Sequence, residues 1–546
     1  MLSIYYIANK YLFKQKYSLI IFIITNFIVI ISTLLIPYLI AYFIDNVVIP
    51  KCTNLSLTII FCILATVVIG KMSSFISHIL SAKIHARAYI EFNLDIIKHI
   101  QKLPLQYFEG KDSIHITKKI NDDAEESISF ILDNIASAFA NAVTITGIFI
   151  IVFVNCGKFL GCIFIFVIIF DLLLYNLFKG SIYSITYLKK ERQNDFFTSL
   201  NNQISNIKFL KINSAGQILI ERIISNFHVL VEIFIKFTAK NLSYILISKF
   251  IKRLSIVCIL VIGGNSVISG NMTIGYLVFT ITYFTHGFQS LDDFPELGKK
   301  WQSVSVSIDR INKIFLEKEE ESGTIVIDDI KDIAVENLTF GYDKSKTIFF
   351  DFSYKFEKGC IYVINGKNGV GKSTFSFLLI GLIPFKNGMI KFNGIPINEL
   401  DINNLRKNLF GFCEQEPILI NASVRDNIHF FDSHLSTVDV KLQDYLQLFN
   451  IQHLYDNNQF IIENTNYENT NEDSSVVSGG EKQKICLVRT FLKKSKLLIL
   501  DEPTSALDSH SISVLKNLLI EMKQECIIII THNNDISMIA DKVINL

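Results

Sequence analysis

Charge-free apolar stretches in the first half of the chain, and short apolar runs between turn residues in the second, predict two different kinds of structure. From Tyr17 to Ile44, 28 residues pass without one Asp, Glu, Lys or Arg. Roughly 20 apolar residues suffice to cross about 30 Å of hydrocarbon, so this stretch is long enough to span a bilayer and too long for the apolar region of a signal peptide. Similar stretches recur at 52–70 and 134–157, and at 159–178 broken only by Asp171. The longest, 254–291, exceeds one membrane helix. The clusters Gly263-Gly264-Asn265 and Ser269-Gly270-Asn271 sit where a turn should divide it. The pattern predicts six spans, near 17–44, 55–80, 133–155, 159–179, 247–269 and 273–292. Soluble helices rarely lack charge on every face for so long.

Lys and Arg near the span ends set the expected orientation. Lys10, Lys14 and Lys16 precede the first span; Lys83, Arg87, Lys98 and Lys102 follow the second; Lys179, Lys189, Lys190 and Arg192 follow the fourth; Lys249, Lys252 and Arg253 adjoin the fifth. The connections at 45–54, 156–158 and 264–272 hold only Lys51 and Lys158. Both chain ends and the long connections 81–132 and 180–246 are therefore expected in the cytoplasm, with helices continuing well beyond the bilayer.

After Leu291 the character changes. Glu317, Glu319, Glu320 and Glu321 suit a solvated linker, and from Ile333 short strand-like runs (Ile361–Asn365, Leu497–Leu500, Ile527–Thr531) alternate with helical patterns. Apolar runs this short, bounded by turn residues, fit a parallel sheet covered on both faces. The expected organisation is a membrane domain over 1–312, a linker over 313–332 and a soluble α/β domain over 333–546. Composition agrees: of 546 residues 50% are apolar and 19% charged, with a mean hydropathy of +0.38, which excludes a disordered chain and a small secreted scaffold. Lys+Arg 52 against Asp+Glu 51 gives a net charge of +1, so no basic surface argues for nucleic acid. The nine cysteines are scattered without CxxC or His pairing and read as apolar fillers.

The strongest chemical signal follows strand Ile361–Asn365: Gly366-Lys367-Asn368-Gly369-Val370-Gly371-Lys372-Ser373-Thr374, then an apolar helical run. This is G-x-x-x-x-G-K-[ST] in its strand–loop–helix setting. Glycines let backbone N–H groups curl around phosphate oxygens, and the helix N-terminus adds its positive end. Lys372 supplies charge to the β- and γ-phosphates, and the Ser373 hydroxyl can ligate Mg²⁺. A second site closes strand Leu497–Leu500 with Asp501 and Glu502, the first suited to Mg²⁺ and the second to orienting or deprotonating a water. A third strand ends in Thr531-His532, where a histidine could reach the γ-phosphate.

These residues resemble the ATP-binding cassette (ABC) transporter family, specifically its exporter-type half-transporters: a membrane α-helical domain of six transmembrane helices followed by an α/β P-loop ATPase domain. Val477-Ser478-Gly479-Gly480-Glu481 resembles the LSGGQ signature, with Val for Leu and Glu481 for Gln. Gln415, in Cys413-Glu414-Gln415-Glu416-Pro417, resembles the Q-loop glutamine that senses Mg²⁺. Tyr342 resembles the aromatic that stacks on adenine, Ser505-Ala506-Leu507-Asp508 the D-loop, and His532 the switch histidine. Leu103-Pro104-Leu105-Gln106-Tyr107-Phe108, Ile120-Asn121-Asp122-Asp123 and Arg310-Ile311 are similar to cytoplasmic segments of the family's membrane half. The resemblance implies a dimer with two ATP molecules sandwiched between the Lys372/Ser373 loop of one subunit and Ser478–Glu481 of the other. It also implies hydrolysis through Glu502 and His532, and coupling helices near Glu109–Lys118 and Lys211–Gln217. A homodimer is favoured; a heterodimer with another half-transporter stays open.

Three departures stand out against that pattern. Asn464–Ser475 lacks the family's T-E-V-G-E-like stretch before the signature. The chain ends one strand after His532, without the usual terminal helices, and only about sixteen residues precede the first span, so a peptide cargo is expected to be processed elsewhere. Asp171 is the one clearly intramembrane acid; a partner for a polar group on a neighbouring helix is favoured over a contact for a cationic substrate. The leading expectation is ATP-driven export of a small, bacteriocin-like peptide across a bacterial plasma membrane. The alternatives are export or flipping of a lipid or amphipathic drug, and an ATP-gated sensor or channel. The spans exclude a soluble ATPase acting on ribosomes or DNA.

Overall fold

A computed structural model of the chain describes residues 4–51, 55–108, 113–155, 158–214, 216–342, 347–430, 440–457, 460–461, 474–475 and 477–546. It divides into two units: residues Met1–Gln101 with Asp112–Glu317, and residues Lys102–Lys111 with Lys318–Leu546.

The first unit is helical, with a helix at each of the six expected places: Lys16–Phe43, Ser56–Ile100, Ala136–Asn155, Lys158–Ser205, the second half of Gly216–Ile268, and Ile274–Asp292. Four stretches among the described residues are long and apolar enough to cross a membrane: Ile4–Val48, Ser56–Ile100, Ile120–Asn155 and Phe159–Ser205. The fifth of the six helices carries Lys249, Lys252 and Arg253, and the sixth His286 and Gln289. Three helices run 45, 48 and 53 residues. At 1.5 Å per residue each is roughly 65–80 Å long, more than twice the hydrocarbon thickness, so these helices continue unbroken well beyond the length that spans a bilayer.

Of the two glycine clusters expected to divide 254–291, only the second does. Gly263-Gly264-Asn265 lies inside the helix that ends at Ile268, and the chain turns at Ser269–Thr273 with Gly270 at φ +76°. Gly263 faces the next helix, where a Cβ would meet the tip of the Leu277 side chain at 2.5 Å. The sixth span begins under a cap: the Thr273 hydroxyl accepts from the Tyr276 N–H. Asp45, at the far end of the first span, accepts from the Thr273 hydroxyl at 2.5 Å and the Gly275 N–H at 2.8 Å.

Several polar side chains in this unit are buried against partners on neighbouring helices, while many large apolar ones, Ile24 and Phe61 among them, face outward. Asn26 donates to Ser77 between the first and second spans at 2.9 Å. Asp171 of the fourth accepts from Ser248 at 2.6 Å and Lys252 at 3.1 Å, both on the fifth, and Lys252 also reaches Asp292 of the sixth at 2.5 Å. Asp171 thus has structural partners, as the favoured sequence reading has it. Arg310 grips Asp123 through two nitrogens. Of the expected coupling segments, 109–112 and 215 lie outside the described residues; around them are the helix starts Ser113 and Gly216, and a short helix Ile207–Ile212.

The second unit is α/β. Strands β1 (Asp332–Phe340), β2 (Phe349–Glu357) and β4 (Asn387–Phe392) form an antiparallel sheet, extended by Ile395–Pro396. Strands β3 (Ile361–Asn365), β5 (Phe410–Cys413), β6 (Leu497–Asp501), β7 (Cys526–Ile530) and β8 (Lys542–Asn545) form a parallel sheet in the order β8-β3-β7-β6-β5. Strands β6 and β7 are buried at every position, which is why they read as unbroken apolar runs. Asn464–Val476, holding the divergent stretch before the signature, lies outside the described residues except for Ser474–Ser475.

Candidate functional site

Parallel register collects the chemistry at one edge. Ile530 pairs with Ile364 on one side and Asp501 on the other, so β3, β7 and β6 end level. From these ends emerge the loop Gly366–Gly371, the Thr531-His532 pair and Asp501-Glu502. Carboxyl ends of parallel strands are where ligands bind in open α/β sheets.

The loop is shaped by two left-handed glycines, Gly369 at φ +79° and Gly371 at φ +108°. A Cβ on Gly371 would also collide with Ile348. The helix Lys372–Leu379 starts immediately after it. Lys372 is buried; its ammonium donates to the Gly366 carbonyl at 2.7 Å and lies 2.7 Å from His532 Nε2. Ammonium nitrogen has only protons to offer, so Nε2 accepts and the imidazole proton resides on Nδ1. Tyr342 is half-exposed above the helix start, with its hydroxyl 3.3 Å from that of Thr374. Lys367, Asn368 and Val370 lie along the same loop.

Ser373 donates to Asp501, tying loop to strand. Burial raises the Asp501 carboxyl above its usual range, with the Ser373 hydroxyl working the other way and neighbouring Glu502 adding to the rise. Glu502 adopts φ +45°, rare for a side-chain-bearing residue, and its N–H donates to the Ile530 carbonyl at 2.8 Å. Such backbone conformations cost about 1–3 kcal/mol and concentrate at functional sites. Gln415, just past β5, donates to the Glu502 carboxylate at 3.2 Å. Lys372, Ser373, Gln415, Asp501, Glu502 and His532 therefore form one connected cluster. Its oxygen donors (the Ser373 hydroxyl, the Asp501 carboxylate and the Gln415 amide) are the hard set that suits Mg²⁺.

The signature segment is a separate feature. Ser478 caps the helix Gly479–Leu492 and, with Glu481, closes a reciprocal capping box. A Cβ on Gly480 would meet the Ala506 carbonyl at 2.8 Å, whereas Gly479 has open space. Asp508 caps the helix Ser509–Glu521, accepting from the Ser511 N–H at 2.8 Å, and pairs with Lys484 at 3.3 Å. Those hydrogen bonds from Ser511, with Lys484 adding to them, hold its carboxyl down at about 2.

Sequence reasoning missed Gln483. Buried two residues beyond Glu481, it donates to the Glu502 carbonyl at 3.2 Å and accepts from the Ala506 N–H at 3.1 Å and the Ser505 hydroxyl. It fixes the turn carrying Glu502 to the signature helix. An uncharged glutamine in a polar helix start gives no local signal, and only its burial reveals the role.

Comparison with known proteins agrees with this geometry. The ABC transporter transmembrane region family matches residues 19–291, and the ABC transporter family matches residues 349–505. The chain belongs to the ABC transporter family. Among relatives of this transporter, the alpha-factor-transporting ATPase of Saccharomyces cerevisiae is 34% identical over 189 residues, covering 34% of this chain and 14% of that protein. The lactococcin-A transport/processing ATP-binding protein of Lactococcus lactis subsp. lactis is 26% identical over 549 residues, covering 97% of this chain and 73% of that one. The solved structure of a bacterial Atm1-family ABC exporter with ATP bound superposes at TM-score 0.81 and 18% identity, over 97% of this chain and 93% of that one. It shares the fold: a helical membrane domain followed by an ABC ATPase domain. The transporter is a multi-pass membrane protein that binds ATP and couples its hydrolysis to transport.

Proposed function

We propose that the chain exports a small peptide across a bacterial plasma membrane, as one half of a dimer whose cassettes close over two ATP molecules. The observation that carries the proposal is the single connected cluster of Lys372, Ser373, Gln415, Asp501, Glu502 and His532 in a chain that also holds the signature helix. A cluster with all of these groups suits repeated hydrolysis better than a one-time switch. The peptide reading draws support from a relative that aligns along 97% of the chain and is named for transporting and processing lactococcin A.

In this reading the loop Gly366–Gly371 and Lys372 hold the phosphates, with Thr374 beside them, and Tyr342 stacks on the adenine. Mg²⁺ held by Ser373 and Asp501, with Gln415 sensing it, supplies charge neutralisation at the terminal phosphate. Glu502 orients and deprotonates the attacking water, and His532 holds the transferred group's charge. Ser478, Gly479 and Gly480 of each chain, with Glu481 bonded to Ser478 and Asp508 nearby, complete the site of the partner. Closure turns the spans outward and hydrolysis resets them; both ends of the chain and its cassette lie in the cytoplasm. A homodimer is favoured because Glu502 and His532 are both in place.

The test is ATPase activity of the purified chain in lipid nanodiscs, with oligomeric mass measured alongside. Turnover by a dimer that small cationic or apolar peptides stimulate, and lipids or amphipathic drugs do not, supports the proposal. Stimulation by lipid alone transfers it to the flippase reading, and turnover without vesicle uptake of any cargo to the ATP-gated reading.

A further inference from the structure

The signature helix of this chain starts beneath a negative charge. The N-terminus of a helix ordinarily favours anions, since its first N–H groups are unpaired and its dipole is positive there. Here that position is taken from within. The Glu481 carboxylate accepts the Ser478 hydroxyl at 2.7 Å and the Ser478 N–H at 2.8 Å, and the Ser478 hydroxyl accepts the Glu481 N–H at 3.3 Å. Burial alone would raise the Glu481 carboxyl, yet the Ser478 hydroxyl and N–H, with His453 and Lys484 nearby, hold it below its usual range. It is therefore ionised at neutral pH. Lys484, three residues further on, is itself engaged by Asp508 at 3.3 Å.

We propose that Glu481 is a positioning residue that acts through Ser478: its carboxylate competes with the terminal phosphate of the partner's ATP for the Ser478 hydroxyl and N–H. Closure of the cassettes then requires the capping box to open, and the closed dimer is shorter-lived than it would be with a neutral residue. The inference rests on the reading that Ser478 faces the partner's nucleotide. A purely structural role for Glu481 predicts something different. A capping residue matters for helix stability, and a neutral isostere that keeps an acceptor oxygen would change neither nucleotide affinity nor dimer lifetime.

The experiment uses the full chain in lipid nanodiscs. E481Q is expected to lower the KM for ATP by about two- to five-fold, the size of one charge at a helix end, with a smaller change in kcat. Combined with Glu502→Gln, it slows dissociation of the ATP-held dimer by a similar factor. ADP affinity does not move, because ADP lacks the phosphate in question. E481D keeps the charge and shows no gain; E481N, a second neutral variant, shifts KM in the same direction as E481Q should either variant lose stability. An unchanged or raised KM in both neutral variants, or equal shifts in E481D and E481Q, overturns the inference. Ser478→Ala separates it from the reading beneath it. If Ser478→Ala keeps full turnover and ATP-driven closure, the trans placement of Ser478 fails. If Ser478→Ala silences the protein while E481Q leaves KM alone, only the competition falls.

Discussion

The two units treat the same residue types in opposite ways. In the cassette, isoleucine and leucine fill the parallel sheet: every side chain of Leu497–Asp501 and Cys526–Ile530 is buried. In the membrane unit, only 22% of the most apolar window in the first span is buried. Isoleucines such as Ile24 face outward, while Asp171 and Lys252 are enclosed. The difference is one of solvent. Water drives apolar side chains together, but lipid is as apolar as they are, so helix association there depends on packing and on satisfied polar groups. Hydropathy thus marks the interior of the cassette, whereas in the membrane unit apolar side chains fill both the inner clusters and the outer face.

The largest test of that contrast is chemical. Glu502→Gln should lower turnover about 10²- to 10⁴-fold, the usual worth of a positioned general base, while ATP still binds and traps the dimer closed. Lys372→Ala should weaken nucleotide binding itself. Neither should alter the thermal unfolding of the membrane helices. ATPase assays, nucleotide binding and helix melting followed by circular dichroism check all three, and wild-type turnover in both variants would refute the site.

Next in size is the buried pair. Asp171→Ala leaves the Lys252 ammonium enclosed with Asp292 alone, and breaking a buried ion pair from one side costs about 3–5 kcal/mol. Adding Lys252→Met should recover most of the loss. Denaturation of the three variants in mixed micelles measures it, and a double variant no better than the single would mean that the pair does not carry the helix packing.

A matched substitution sharpens the contrast further. Ile528→Ala, in the middle of β7, should destabilise the cassette by about 2–5 kcal/mol. Ile24→Ala, 52% exposed on the first span, should cost far less, because lipid tails refill the space. Equal losses would show that the outward face of the first span is packed against protein.

The smallest effect concerns a cap. Asp508→Ala removes the acceptor for the Ser511 N–H and should cost about 1 kcal/mol. Because the folded carboxyl titrates at about 2 against an ordinary 3.8, its contribution is present above 3.8 and disappears as pH falls towards 2. The gap in melting temperature between variant and wild type should close over that window.

Much of this architecture is legible in the sequence, for physical reasons that can be named. Charge-free stretches longer than a bilayer admit few alternatives, and the loop Gly366–Thr374 sits between a strand and a helix as its chemistry requires. The loop's glycines are needed for backbone geometry, so their identity survives in the sequence. Other features depend on distant parts of the chain. Gly263-Gly264-Asn265 looks like a turn locally, yet the helix passes through it and the chain turns only at Ser269–Thr273. The partners of Asp171 are 77 and 81 residues away, and Gln483 matters only because the fold brings it under Glu502. Such pairings are written in three dimensions.

One contact has a calorimetric consequence. The Lys372 ammonium already has an acceptor in the Gly366 carbonyl and another in the His532 ring. An arriving triphosphate therefore exchanges bonds instead of adding them to a bare cation, and the heat released on binding will be modest for so charged a ligand. The same exchange frees the imidazole at the instant the lysine turns away.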